Sequence, residues 1–230
     1  LLGTVVNAIA IIVGSLIGLV CRGGIPAKYA ETVMQAMGLA VILIGIMAAI
    51  QTEDLLLVIV SLAVGSVIGE LVAIEDRLEA MGQWFQKKLS GTGSDISRGF
   101  VTATLLFCVG SMAVVGSLES GLTGNHQILF AKSLIDGISS IIFSASLGIG
   151  VMLSALSVFI YQGALTLSAS FMKPFLVPEV VVQMSAVGGL LIMAIGFNLL
   201  EVKKIKVGNM LPAIFIPLVY YIVRQVVPVF

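Results

Sequence analysis

Residues 131–172 read "AKSLIDGISSIIFSASLGIGVMLSALSVFIYQGALTLSASFM", a lysine and an aspartate four apart followed by no charge from Gly137 to Met172. That run of roughly 36 residues is too long for one helix across a hydrocarbon core, which takes roughly 20. Leu147-Gly148-Ile149-Gly150 near its middle offers a tight turn, so the stretch divides into two membrane helices, 129–148 and 150–172. One span plus a re-entrant segment is the other division of the same residues.

The rest of the chain fits the same solvent. Of 230 residues, 59% are hydrophobic and 10% charged, and the mean hydropathy is +1.16. An average soluble domain carries roughly 25% charge, so this chain has too little polar surface to cover a water-facing globule. An all-α polytopic membrane protein follows, with about eight transmembrane helices: 3–21, 29–50, 54–74, 98–118, 129–148, 150–172, 180–200 and 207–227. Twelve basic residues balance twelve acidic ones and no basic tract is present, so no nucleic-acid partner is expected; the lipid bilayer is. Cys21 and Cys108 lie in or beside apolar runs and read as buried thiols, not as a disulfide. The first run is longer than a signal-peptide core and lacks a basic lead and an A-x-A site, so it is expected to be a retained span.

Connectors alternate in sign. Arg22 and Lys28 follow the first span, Arg77, Lys87, Lys88 and Arg98 separate the third from the fourth, and Lys203, Lys204 and Lys206 separate the seventh from the eighth. The other connectors hold Glu53 and Asp54, then Glu119 and His126, then Lys173 and Glu179. The positive-inside bias then places both termini outside the cytoplasm. The chain reads as one transmembrane domain, 1–230, made of first helices (1–76), a cytoplasmic connector (77–97), central polar and glycine-rich helices (98–178) and last helices (179–230). In the connector, Ile74, Leu78, Met81, Phe85 and Leu89 fall on one helical face with Trp84 alongside, the pattern of an interfacial amphipathic helix. "SGTGSDIS" (90–97) then gives a flexible link with a helix cap at Ser94 or Asp95. It lacks the spacing of a nucleotide-binding loop.

Two pairs of stretches echo each other. "VGSLIG" (13–18) returns as "VGSVIG" (64–69), glycines four apart that let membrane helices approach closely. "MQAMGLAVILIGI" (34–46) resembles "MSAVGGLLIMAIGF" (184–197) once one glycine is inserted. Since the charge pattern runs these two spans in opposite directions, they form a candidate inverted repeat of the transporter type.

Lys132 and Asp136 share a helix face. An interfacial ion pair that orients the span is the plainer reading. Asp136, however, sits nearly two turns into the span, and Ser139, Ser140, Ser144 and Ser146 extend its polarity. A hydrated cavity is therefore expected, because charges facing lipid are costly. "CVGSMAVVGSLESGLTGNH" (108–126), with Ser111 and Glu119, is rich enough in glycine that Gly110, Gly116, Gly121 and Gly124 are expected to interrupt a helix. Glu119 is an outer-loop carboxylate or the mouth of a pathway. Glu70 is expected to snorkel. Asn7, Gln35, Gln162 and Asn198 lie in spans and need partners, which helix–helix hydrogen bonds supply. The candidate pathway is thus Lys132, Asp136, Ser139, Ser140, Glu119, Ser111, Asn7 and Asn198.

Four stretches, "GTVVNAIAIIVGSLIG" (3–18), "GSMAVVGSLESGLTGN" (110–125), "KSLIDGISSIIFSASLGIGV" (132–151) and "NMLPA" (209–213), resemble the YqgA/YdfK family of bacterial integral membrane proteins, classed as a domain of unknown function. The resemblance spans essentially the whole chain. It implies a multi-pass protein of the bacterial inner membrane and carries over no catalytic or binding residue.

The leading functional expectation is a transporter or channel for a small solute or ion, not driven by ATP on its own. A membrane scaffold, with glycine seams that would equally build a homo-oligomer, is the alternative. An intramembrane enzyme is the weakest reading: with a single histidine and no clustered ligands, no metal site and no catalytic set stand out. The sequence names no cofactor.

Overall fold

The computed structural model describes residues 1–22, 27–88, 95–109, 111–172 and 177–226. The described residues form helices and no strand: α1 (Leu2–Arg22), α2 (Ala27–Ala49), α3 (Leu55–Val72), α4 (Ile74–Lys88), α5 (Ile96–Val109), α6 (Ser111–Thr123), α7 (Gln127–Leu147), α8 (Gly150–Met172), α9 (Pro178–Leu199), a 3₁₀ segment (Val207–Phe215) and α10 (Ile216–Val226). Among the described residues, six helical stretches are long and apolar enough to cross a bilayer, and the bent pair α5–α6 makes a seventh. The described residues thus hold six to seven candidate spans where about eight were expected; the apolar part of α2, Met34–Ala49, is a shorter apolar helix. The protein is a polytopic α-helical membrane protein. Its outer faces carry exposed Leu43, Leu56, Val67, Leu134 and Leu167, the surface a bilayer solvates and water does not.

Local signals set the boundaries. Asp54 caps α3, its carboxylate accepting from the Leu57 N–H at 3.0 Å. Ala73, at φ 55°, turns the chain straight into α4. That helix has Glu75 and Asp76 in its first turn and Lys87 and Lys88 in its last, both matched to its dipole. It lies against α5, with Phe85 5.4 Å from Phe100 between ring centroids, while Met81 and Trp84 are exposed. The expected amphipathic helix therefore splits its apolar residues between the protein interior and the exposed surface; Leu89 and Ser94 lie outside the described residues.

The helix break expected in 108–126 is present, α5 and α6 being inclined by 61°, and residue 110 itself lies outside the described residues. Two expectations need correction. Gly116 and Gly121, expected to interrupt a helix, lie inside α6, where a Cβ would strike Ile128 and the backbone of Thr166; they serve close packing. Cys21 is exposed, not buried, at the end of α1, while Cys108 is buried as expected. The last span also begins unexpectedly as a 3₁₀ turn. Pro212 cannot donate within it, and Gly65 and Gly69 of α3 bring it so near that a Cβ on either would strike the backbone of Ala213 or Asn209.

Glycine contacts also fix helix directions. Gly3 faces Leu129, Gly14 faces Gly137 and Gly18 faces Ile141, so α1 and α7 run parallel. Gly38 faces Gly196 and Gly45 faces Gly189, so the echoing helices α2 and α9 pack together antiparallel, the opposed direction an inverted repeat demands. The last span runs antiparallel to α3. Gly99 and Gly121 bind α5–α6 alongside α8 in the same direction, at Gly150 and Thr166 respectively. Two ends result. One gathers the basic connectors, tied by Arg98–Glu201 at 2.6 Å, Lys204–Glu79 at 2.6 Å and Lys206–Glu70 at 3.0 Å. The other holds the 50–54 and 119–126 connectors, with Thr52 donating to Gln183 at 2.6 Å.

Candidate functional site

Between α1, α7 and α8 the structure buries a charge pair. Lys132 and Asp136, 6% and 4% exposed, lie one turn apart on α7, and Lys132 Nζ stands 2.9 Å from Oδ1 and 2.8 Å from Oδ2. From α1, Asn7 Nδ2 donates to Asp136 Oδ2 at 3.0 Å and to Gln162 Oε1 of α8 at 3.3 Å. One turn nearer the 119–126 end, the hydroxyls of Thr4 and Thr166 are 3.5 Å apart. Towards the basic end, the fully buried Ser140 and Ser15 come next, Ser140 packing beside Gly14. Cys108 of α5 lies within electrostatic range of both charges, and Tyr161 of α8 within range of Cys108.

The same seam leaves polar atoms without a protein partner: Asn7 Oδ1, Gln162 Nε2 and the hydroxyls of Ser15 and Ser140, with the Tyr161 hydroxyl beside Cys108 also unpartnered. Each such atom costs about 1–3 kcal/mol if it stays dry, a large sum beside the 5–15 kcal/mol that holds a typical protein folded. A seam of this kind suits water or a polar ligand.

The sequence candidates separate accordingly. Lys132, Asp136, Asn7 and Ser140 come together, and Ser139 is half-buried on the adjoining flank of α7. Glu119 lies at the far end, accepting from Asn125 at 2.7 Å. Asn198 is at the basic end, where its amide staples Ile205 through bonds of 2.8 and 2.7 Å. The side chain of Ser111 and residue Gly110 lie outside the described residues. Gln162, Thr4 and Thr166 were absent from the expected pathway; partners on different helices leave no signal in local spacing.

A second polar site closes the basic end. Asn209, within "NMLPA", accepts from the Glu75 N–H at 2.7 Å and donates to Glu70 at 2.5 Å. Gly208 N–H in turn donates to Glu75 Oε2 at 2.6 Å. Burial pushes the Glu75 carboxyl above its ordinary 4.5, against the lowering effect of the Gly208 bond. The hydrogen bond to Glu79 raises Lys204, and that to Glu70 raises Lys206. Beside this latch a cavity of about 480 Å³, lined by Arg98, Glu201, Lys203, Asn198, Thr102 and Leu105 among others, opens at the basic end. Two further cavities of about 400 Å³ are apolar grooves on the membrane-facing side. None of these three is lined by Lys132 or Asp136. Among the described residues no group of three or more His, Cys, Asp or Glu side chains gathers as a metal site would require.

Known proteins match along nearly the full chain. The uncharacterized membrane protein YdfK of Bacillus subtilis (strain 168) is 36% identical over 219 residues, covering 94% of this chain and 93% of YdfK. The uncharacterized protein YqgA of Escherichia coli (strain K12) is 29% identical over 220 residues, covering 94% of each. No solved structure matches. The family described as "Protein of unknown function (DUF554)" matches residues 2–222, and the chain belongs to that family.

Proposed function

We propose that this protein is a transporter or channel for a small solute or ion in the bacterial inner membrane. The observation that carries the reading is the buried Lys132–Asp136 pair, joined by Asn7 and Gln162 and surrounded by polar atoms that no protein group satisfies. Ionisable groups inside membrane helices are expensive and are characteristic of ion and substrate paths. The antiparallel packing of the echoing helices α2 and α9 supports an inverted repeat, the architecture that places transport sites near mid-membrane. Basic connectors gathered at one end support a cytoplasmic placement of that end, with both termini on the other side.

A membrane scaffold is the second reading. It is favoured by the sealing of the pair, which borders none of the three described cavities, and by the glycine seams. Reconstitution separates the two. Purified protein in vesicles should dissipate an imposed proton, sodium or potassium gradient faster than protein-free vesicles do. Equal rates for all three ions would leave the scaffold reading.

A further inference from the structure

We infer that the transported or coupling ion is the proton, and that it passes along a hydrated seam of side chains between α1, α7 and α8. The inference rests on the transport reading above and names its ion.

Three observations select the proton over a metal cation or an organic solute. The first is charge. Lys132 covers both oxygens of Asp136, so a metal cation, which takes several oxygen ligands, must displace the ammonium from both, while a proton needs one lone pair on one of them. The second is space. None of the three described cavities borders the pair, and the α1–α7 joint is so tight that a Cβ on Gly14 would strike Gly137. An organic solute finds none of the described cavities there, whereas a proton needs only single water molecules between hydrogen-bonding groups. The third is chemistry. The unsatisfied atoms are largely hydroxyls, each able to donate one proton and accept another.

These groups form successive rungs along the helices. Thr4 and Thr166 come first, then Asn7, Gln162 and the ion pair, then Ser140 and Ser15. Ser144 and Ser154 follow, both buried, their hydroxyls donating to the Gly148 and Val151 carbonyls near the Leu147–Gly150 turn that packs on Gly99. From there α5 leads to the cavity at the basic end. Rungs one helical turn apart are about 5.4 Å apart in rise, a gap that one water molecule spans with hydrogen bonds at both sides. Gln162 Nε2 and Asn7 Oδ1 supply a donor and an acceptor for such water beside the carboxylate.

The proton step is simple. A proton arriving from one side forms an O–H bond on Asp136 Oδ2 as the Asn7 amide swings off it and the Lys132 ammonium draws onto Oδ1 alone. Lys132 remains protonated on Oδ1, so the site is briefly cationic. That unfavourable charge expels the proton from Oδ2 towards the other side, breaking the same O–H bond. The titratable or charged groups around Asp136 are Lys132 on its own helix, Cys108 on α5 and, beyond the thiol, Tyr161 on α8.

The test uses full-length protein in vesicles with an entrapped pH dye, a potential imposed by potassium and valinomycin, and parallel sodium and rubidium uptake. Protons should enter faster than in protein-free vesicles, while sodium and rubidium should not. Ser140→Ala should slow proton entry several-fold. Sodium or rubidium uptake without proton entry would overturn the proton assignment and leave transport standing. No flux of any ion would overturn the proton assignment and, with it, the ion arm of the transport reading. A separate readout does not depend on activity. If Ser140 is hydrated, Ser140→Ala loses hydrogen bonds and melts at a lower temperature than the wild type. If the seam is dry, removing an unsatisfied hydroxyl raises the melting temperature, and the hydrated path is overturned.

Discussion

At the scale of single residues, the energetics turn on which charges stay paired. Truncating one partner of a buried ion pair typically costs about 3–5 kcal/mol, because the other charge is left buried alone. Asp136→Ala should therefore destabilise by about that amount, while Lys132→Gln combined with Asp136→Asn, which leaves no charge, should cost clearly less. Thermal melting in detergent measures both, and a double variant as unstable as the single one would contradict this account of the pair. Glu75 obeys a different rule. Its carboxyl is raised by burial, so its contribution to stability is fully present below the ordinary 4.5 and is lost as pH rises through the folded-state value. Glu75→Gln keeps an acceptor for Gly208 and removes the buried charge. It should melt above the wild type at pH 7, and the gap should close as pH falls towards 4.5; a variant that melts lower at both pH values would refute this. The Lys132–Asp136 pair was legible in the sequence because four-residue spacing on a helix is a local fact. Gln162 was legible only as a side chain in need of a partner, since its bond to Asn7 joins helices far apart in the chain.

At the scale of elements, glycines decide which helices meet. The repeated "VGSLIG" and "VGSVIG" announced close approach, and both fulfil it, α1 against α7 and α3 against the 3₁₀ segment. Neither motif could name its partner, since the glycine pattern is the same whatever surface fills it. The glycines of α6 were misread for a related reason: a helix-breaking glycine and a packing glycine look alike until the neighbour is known. Gly69→Ala should push the last span off α3 and cost about 1–3 kcal/mol or more, the usual penalty for overpacking. Gly163→Ala is the control, because its Cβ would meet only Leu1, at 3.9 Å, and helical alanine gains about 0.5–1 kcal/mol over glycine. Melting curves that fall for both variants alike would contradict the packing assigned to Gly69. The 3₁₀ start of the last span was not legible, because it depends on the Glu75–Asn209 latch as well as on Pro212.

At the scale of the whole molecule, charge alternation along the sequence and helix direction in the structure lead to one topology. The basic connectors meet at one end through Arg98–Glu201 and Lys204–Glu79, while Leu1 and the end of α10 lie towards the other. In a background of Cys21→Ser and Cys108→Ala, cysteines at Glu53 and Asn125 should label from the outside of intact cells. Cysteines at Lys88 and Lys203 should label only after the membrane is opened. Labelling of positions 53 and 203 from the same side would break the topology. The uncharged run 137–172 made the membrane fold legible, but no feature of sequence alone could show α1, α7 and α8 closing around one ion pair. The central claim is that this pair serves passage through the membrane beyond holding helices together. Its most direct test is ion flux through vesicles containing the Lys132→Gln/Asp136→Asn protein, set beside its melting curve. The account expects a folded, inserted protein with flux at the level of protein-free vesicles; wild-type flux from that charge-free variant would contradict it.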